Sequence, residues 1–132
     1  MESDSHTDEE IKEIFRLKKI AVVGMSKHAN KAAHFVPKYL SEQGFEITPI
    51  NPNAIEILGK KSYPDLLSLD HPVDVVDIFR PSEDVLPFVK DAIKKKPKVI
   101  WLQEGIHNVE AEELARSNGI MVIFNRCMLA EH

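Results

Sequence analysis

Apolar and polar positions along this chain fall into blocks. Short aliphatic runs at 20–23, 45–50, 73–79, 99–102 and 120–124 each end in a polar or turn-forming cluster. Runs so dense in Val and Ile suit parallel strands buried on both faces, and the residues just after them lie along one rim of the sheet. Helical segments are predicted between the strands. Thr7 with Glu10 forms a capping box that opens a helix carrying Ile11, Ile14, Phe15 and Lys18 on a narrow stripe. A second helix is expected over 32–43, closed by Gly44; Pro37 inside it implies either a later start or a kink, because proline removes a backbone donor. The stretch 55–69, with Gly59 and Tyr63-Pro64, reads as a short strand or turn leading to a brief helix. Asp84 is placed to cap a helix reaching about residue 95 with Pro87 in its first turn, and Asn108 to cap an acidic-fronted helix that Asn118-Gly119 ends. Strands alternating with helices imply right-handed crossovers, hence an α/β, Rossmann-like doubly wound fold. The sheet should be mainly parallel, with five strands or slightly more and helices on both faces. Reversal of strand order beside the first strand would put a crevice between the runs at 20–23 and 73–79, where the loops after Val23, Ile50, Phe79 and Leu102 converge.

Length and composition narrow the setting. A chain of 132 residues is expected to form one domain, with residues 1–6 as a flexible N-terminal tail. The 43% hydrophobic and 29% charged content is that of a soluble globular protein. No run approaches the ~20 apolar residues that span a bilayer. A net charge of −4 argues against nonspecific nucleic-acid binding, and the basic run 94–98 fits a helix C-terminus. An acidic, polar N-terminus and a lone cysteine, Cys127, fit a reducing cytoplasm. The six histidines show no metal-ligand spacing, and His28 and His34 are expected mainly to solvate a loop.

The rim residues carry the candidate chemistry. Gly24-Met25-Ser26-Lys27-His28-Ala29-Asn30-Lys31 offers one glycine for close backbone approach, a hydroxyl and two lysines before a helix N-terminus, an arrangement that suits a pyrophosphate. An ordinary strand-to-helix turn with solvated lysines is the competing explanation. A nicotinamide dinucleotide site would show G-x-G-x-x-G and an acidic residue ending the second strand, whereas Asn51-Pro52-Asn53 stands there. Phe79-Arg80 places an aromatic ring and a permanent cation at the rim; Arg80 suits a phosphate or an adenine, or a surface pair with Glu83 or Asp84. Asp77, in a strand buried on both faces, needs partners. Trp101 is expected in the core, and Gln103, Glu104 and Gly105 are placed to bond an extended ligand. Asn125-Arg126-Cys127 follows the last strand at the same rim, with Cys127 either an inert small hydrophobe or a thiol activated by its neighbour. No convincing catalytic or metal-binding constellation emerges.

Taken in order, the blocks at 22–26, 49–53, 76–80, 101–105 and 125–127 closely resemble the single-domain coenzyme A-binding proteins, which are similar to the N-terminal domain of the succinyl-CoA synthetase alpha subunit. The likeness spans about residues 17–128. It implies coenzyme A as ligand, with Gly24, Met25, Ser26 and Lys27 holding phosphate, Asn51 and Pro52 bordering the nucleotide, and Phe79 and Arg80 flanking the adenosine. Leu102, Gln103, Glu104 and Gly105 would line the rest. Lys31 stands where relatives often carry arginine, followed here by Ala32-Ala33 in place of proline and serine, and Asn125 replaces an aspartate. The resemblance implies a small-molecule binder without catalysis of its own, storing the cofactor, sensing it or presenting it to an acyl-CoA-using protein partner, with no nucleic-acid or membrane partner. A mixed disulfide between Cys127 and the cofactor thiol is a further expectation. The competing readings are an enzyme acting on an acyl-CoA with Glu104 or Asp77 as base, and an NAD-responsive regulator.

Overall fold

Successive residues of a strand point to opposite sides, so a strand apolar throughout must be covered twice. The computed structural model, which describes residues 4–132, meets that demand with helices on both faces of one sheet. The chain runs through α1 (Asp8–Ile14), β1 (Lys19–Val23), α2 (Ala32–Glu42), β2 (Glu46–Ile50), β3 (Glu56–Ile57), β4 (Lys60–Lys61), β5 (Val75–Ile78), α3 (Val85–Lys94), β6 (Val99–Leu102), α4 (Val109–Ser117), β7 (Met121–Ile123) and α5 (Met128–Glu131). The main sheet has five parallel strands in the order β2-β1-β5-β6-β7, while β3 and β4 form a separate small hairpin. Ala21, Val23, Val76, Ile78 and Ile100 pack beneath α3 and α4, and Ile20, Val22, Val75, Trp101 and Ile123 pack beneath α1, α2 and α5. Burial of this apolar surface is the main stabilising term, and both faces supply it. Among the described residues, no helix is long and apolar enough to cross a membrane.

From β1 the chain moves outward to β2, then returns across β1 to form β5, so the order reverses between β1 and β5. That reversal leaves the crevice where the sequence expectation put it. The capping box of Thr7 and Glu10 is present, but α1 stops at Ile14, short of Lys18. Pro37 lies inside α2, which nevertheless starts at Ala32. The 55–69 stretch resolves into the hairpin and a single 3-10 turn at Leu66–Ser68. Asp84 does not cap α3: its side chain makes no cap bond and pairs with Arg80 at 3.7 Å. Asn108 does cap α4, accepting from the Ala111 amide at 3.0 Å.

The expectation of a flexible tail over 1–6 needs correction. Residues 1–3 lie outside the described part, but Asp4 is buried and accepts from the Phe124 amide at 2.9 Å and from Arg126 at 3.0 Å. His6 Nε2 sits 3.1 Å from the Val122 carbonyl. The segment is stapled along the end of β7, because a buried carboxylate needs a guanidinium to offset its desolvation.

Candidate functional site

The loop after β1 is built for close approach. Gly24 has φ +79°, and a Cβ there would stand 2.7 Å from the Phe79 carbonyl oxygen and 3.2 Å from Arg80 Cδ. Only glycine lets the β1 and β5 loops run this near each other. The Gly24 amide donates to the Ile50 carbonyl at 3.0 Å, and Asn51 Nδ2 donates to the Met25 carbonyl at 2.8 Å, so the loops after β1, β2 and β5 are joined at the rim. The Ser26 peptide is tied instead to α2, its amide donating to the Ala33 carbonyl at 3.1 Å and its carbonyl lying 2.7 Å from His34 Nδ1. Ser26 Oγ accepts from the His28 amide at 3.0 Å. His34 is therefore a buried anchor rather than a loop-solvating residue, and His28 is exposed.

Two chambers open along this rim. The smaller, of about 340 Å³, lies between the loops after β1 and β2 and is walled by Gly24, Asn51, Pro52, Asn53, Pro64, Phe88 and Arg80. The larger, of about 530 Å³, runs over the N-terminal turn of α2 and is walled by Lys31, Phe35, Val36, Phe79, Ile106, Gln103, Glu104 and Cys127, again with Arg80. Both volumes fall in the range of small-molecule sites. Arg80 is the shared wall: its guanidinium is half-exposed, 3.7 Å from Asp84 and 5.7 Å from the centre of the Phe88 ring. The surface pairing and the place at the rim thus coexist. An exposed ion pair of this kind is weak and leaves the guanidinium free to exchange Asp84 for a stronger anion.

Beneath the larger chamber lies a buried polar chain. Asp77 sits between Val22 and Trp101 in register and is fully buried. Its Oδ1 accepts from Gln103 Nε2, and its Oδ2 has no partner among the described residues. Burial pushes its carboxyl up to about 8, against a smaller downward pull from the Gln103 bond, a shift that favours the protonated form. Gln103 Oε1 accepts from the Met128 amide at 3.3 Å, which fixes the start of α5 beside Cys127. The Gln103 side chain is thus committed to the protein on both sides, although it contributes to the chamber wall. Arg126 turns away from Cys127 toward the N-terminal segment, with Asp4 at 3.0 Å and Glu131 at 2.6 Å. It is not arranged to activate the thiol.

Ten of the residues singled out from sequence meet around these chambers or tie their loops together: Gly24, Ser26, Lys31, Asn51, Pro52, Phe79, Arg80, Gln103, Glu104 and Cys127. The side chains of Met25 and Leu102 do not reach the rim, being fully buried in the core, and Lys27 and Gly105 line neither chamber. The Gly105 amide donates to Asn125 Oδ1 at 2.7 Å, joining the loops after β6 and β7. Sequence reasoning missed Phe35, Val36, Ile106, Pro64 and Phe88 as walls. Phe35 carried the one available signal: an aromatic on the helix after the glycine loop, 44% exposed in the fold.

Residues 18–132 match the model of a family described as the CoA binding domain. Over 93% of this chain and 92% of the relative, the sequence is 38% identical to an uncharacterized Bacillus subtilis protein, YneT. An ADP-forming acetate–CoA ligase II of Archaeoglobus fulgidus is 31% identical over 89% of the chain, which spans only 19% of that enzyme. A solved hypothetical protein from Pyrococcus horikoshii superposes with a TM-score of 0.93 at 41% identity, covering 100% of this chain and 96% of that one.

Proposed function

Because the chain belongs to the CoA binding domain family, we propose that it binds coenzyme A along the sheet rim, as a module without catalysis of its own. The observation that carries this reading is the pair of unlike chambers sharing Arg80, one bordered by the glycine loop and Asn51-Pro52, the other mostly apolar and ending at Cys127. An adenylated diphosphate with a long, uncharged arm has the same division of chemistry. The phosphates would lie where Gly24 removes a side chain and Arg80 and Lys31 supply positive charge. The arm would follow the larger chamber past Phe79 toward Cys127. Glu104 is exposed and Asp77 lines neither chamber, so neither is placed as an evident general base. Held this way, the cofactor is available for storage, sensing or presentation to an acyl-CoA-using protein.

Calorimetric titration with coenzyme A, dephospho-coenzyme A and NAD tests the reading. Coenzyme A should bind tightest, dephospho-coenzyme A more weakly and NAD weakest, with acetyl-coenzyme A recovered unchanged after incubation. Equal or tighter binding of NAD, or no heat with coenzyme A, would overturn the assignment of ligand; turnover of acetyl-coenzyme A would overturn the absence of catalysis.

A further inference from the structure

A proline at the sixth position of a helix ordinarily weakens it, because the ring lacks an N–H and crowds the carbonyl four residues earlier. In α2 that carbonyl belongs to Ala33, and it accepts the Ser26 amide at 3.1 Å. Pro37 thus leaves open an acceptor that the glycine loop fills. One residue on, His34 is buried and places Nδ1 2.7 Å from the Ser26 carbonyl. A carbonyl can only accept, so Nδ1 must carry the proton, which fixes the tautomer of the neutral ring. Both polar groups of the Ser26 peptide are therefore held by the helix that follows the loop.

We infer that Pro37 and His34 are positioning residues that set the glycine loop in its ligand-ready shape before anything binds. This inference rests on the proposed coenzyme A site and adds what organises it. A loop already fixed loses less conformational freedom when a ligand arrives, so affinity should depend on residues that touch no ligand. Replacing Pro37 with alanine restores an N–H that competes with Ser26 for the Ala33 carbonyl. The helix should gain or keep stability while the loop loosens, opposite to what a merely structural proline would show.

Two measurements test the idea in the intact chain. Without ligand, amide hydrogen exchange at Ser26 should speed up at least tenfold in Pro37→Ala and in His34→Ala, with Tm unchanged or raised in Pro37→Ala. His34→Asn, whose amide nitrogen occupies nearly the position of Nδ1, should restore most of the protection. With coenzyme A, Pro37→Ala and His34→Ala should bind several-fold to tenfold more weakly, and His34→Asn close to the parent. Parental exchange at Ser26 in both alanine variants, or undiminished affinity despite faster exchange, would overturn the inference. Failure of the parent to bind coenzyme A would instead remove the proposed function, and the exchange data would still decide whether the clamp exists.

Discussion

The two chambers differ in how their walls are held. Around the smaller one, backbone and side-chain bonds join Gly24 to Ile50 and Asn51 to Met25, so short contacts fix main-chain positions. The larger has mostly apolar side chains for walls, and its one buried amide, Gln103, is already satisfied by Asp77 and Met128. Preset polar groups favour a charged ligand whose geometry is fixed, whereas an apolar trough tolerates a flexible one. Under the proposed function, the contrast would give specificity to the first chamber and reach to the second. Substitutions in the first should therefore cost far more affinity than substitutions in the second.

Gly24→Ala is the strongest way to break that contrast. Beyond the roughly 1–3 kcal/mol that a side chain pays in left-handed backbone, the new Cβ meets the Phe79 carbonyl at 2.7 Å, so the β1 and β5 loops must part. Coenzyme A binding should be lost in titration, with a lower Tm. Gly44→Ala is the control, since Gly44 has φ +94° but nothing within 4 Å; it should lower Tm and leave binding intact. If both variants bind alike, close loop approach is not what the site requires. Arg80→Ala comes next. It removes the wall common to both chambers, and loss of a charged hydrogen bond of about 1.5–3 kcal/mol corresponds to roughly 10- to 100-fold weaker binding. A salt-independent, unchanged affinity would show that Arg80 serves only Asp84.

The legible and illegible parts of this molecule divide along the same line. Strand positions, the crevice and the Gly24 loop could be read from sequence because each follows from local pattern: dense aliphatic runs, breakers after them, one glycine at a required turn. What stayed hidden depends on partners remote along the chain. Asp4 reads as part of an acidic tail until Arg126 is seen beside it at 3.0 Å. Pro37 reads as a defect in α2 until the Ser26 amide supplies the missing donor. Met25 and Leu102 sit inside rim motifs, yet both side chains are fully buried, Leu102 as the last residue of β6 and Met25 just after the Gly24 turn. Asp84 has the right residue type for a cap and is drawn to Arg80 instead.

A smaller effect is expected beneath the larger chamber. Asp77 has its carboxyl raised from 3.8 to about 8, chiefly by burial. With a folded value above the unfolded one, its contribution is fully present below about pH 4 and is lost as pH rises through about 8. Asp77→Asn keeps an acceptor for Gln103 and removes the titration. Thermal melts from pH 4 to 9 should show a decline in the parent that is flatter in the variant, with coenzyme A affinity at pH 6 changed by only a few-fold. Parallel pH profiles would mean that Asp77 is ionised in the folded protein.

The smallest change is expected at Cys127, whose thiol lines the apolar chamber but receives nothing from Arg126, committed as it is to Asp4 and Glu131. Cys127→Ser should alter coenzyme A affinity by no more than about twofold, because a thiol packing as a small hydrophobe contributes little to a partly open wall. Its effect should appear in covalent chemistry instead. With excess coenzyme A disulfide, attack of the Cys127 thiolate on one sulfur forms a protein mixed disulfide and releases one coenzyme A thiol. Nonreducing mass spectrometry should find that adduct in the parent and not in the serine variant. No adduct in the parent would mean that the arm does not bring its thiol to this end of the chamber. The assignment of reach to the larger chamber would then fail while the polar chamber kept its role.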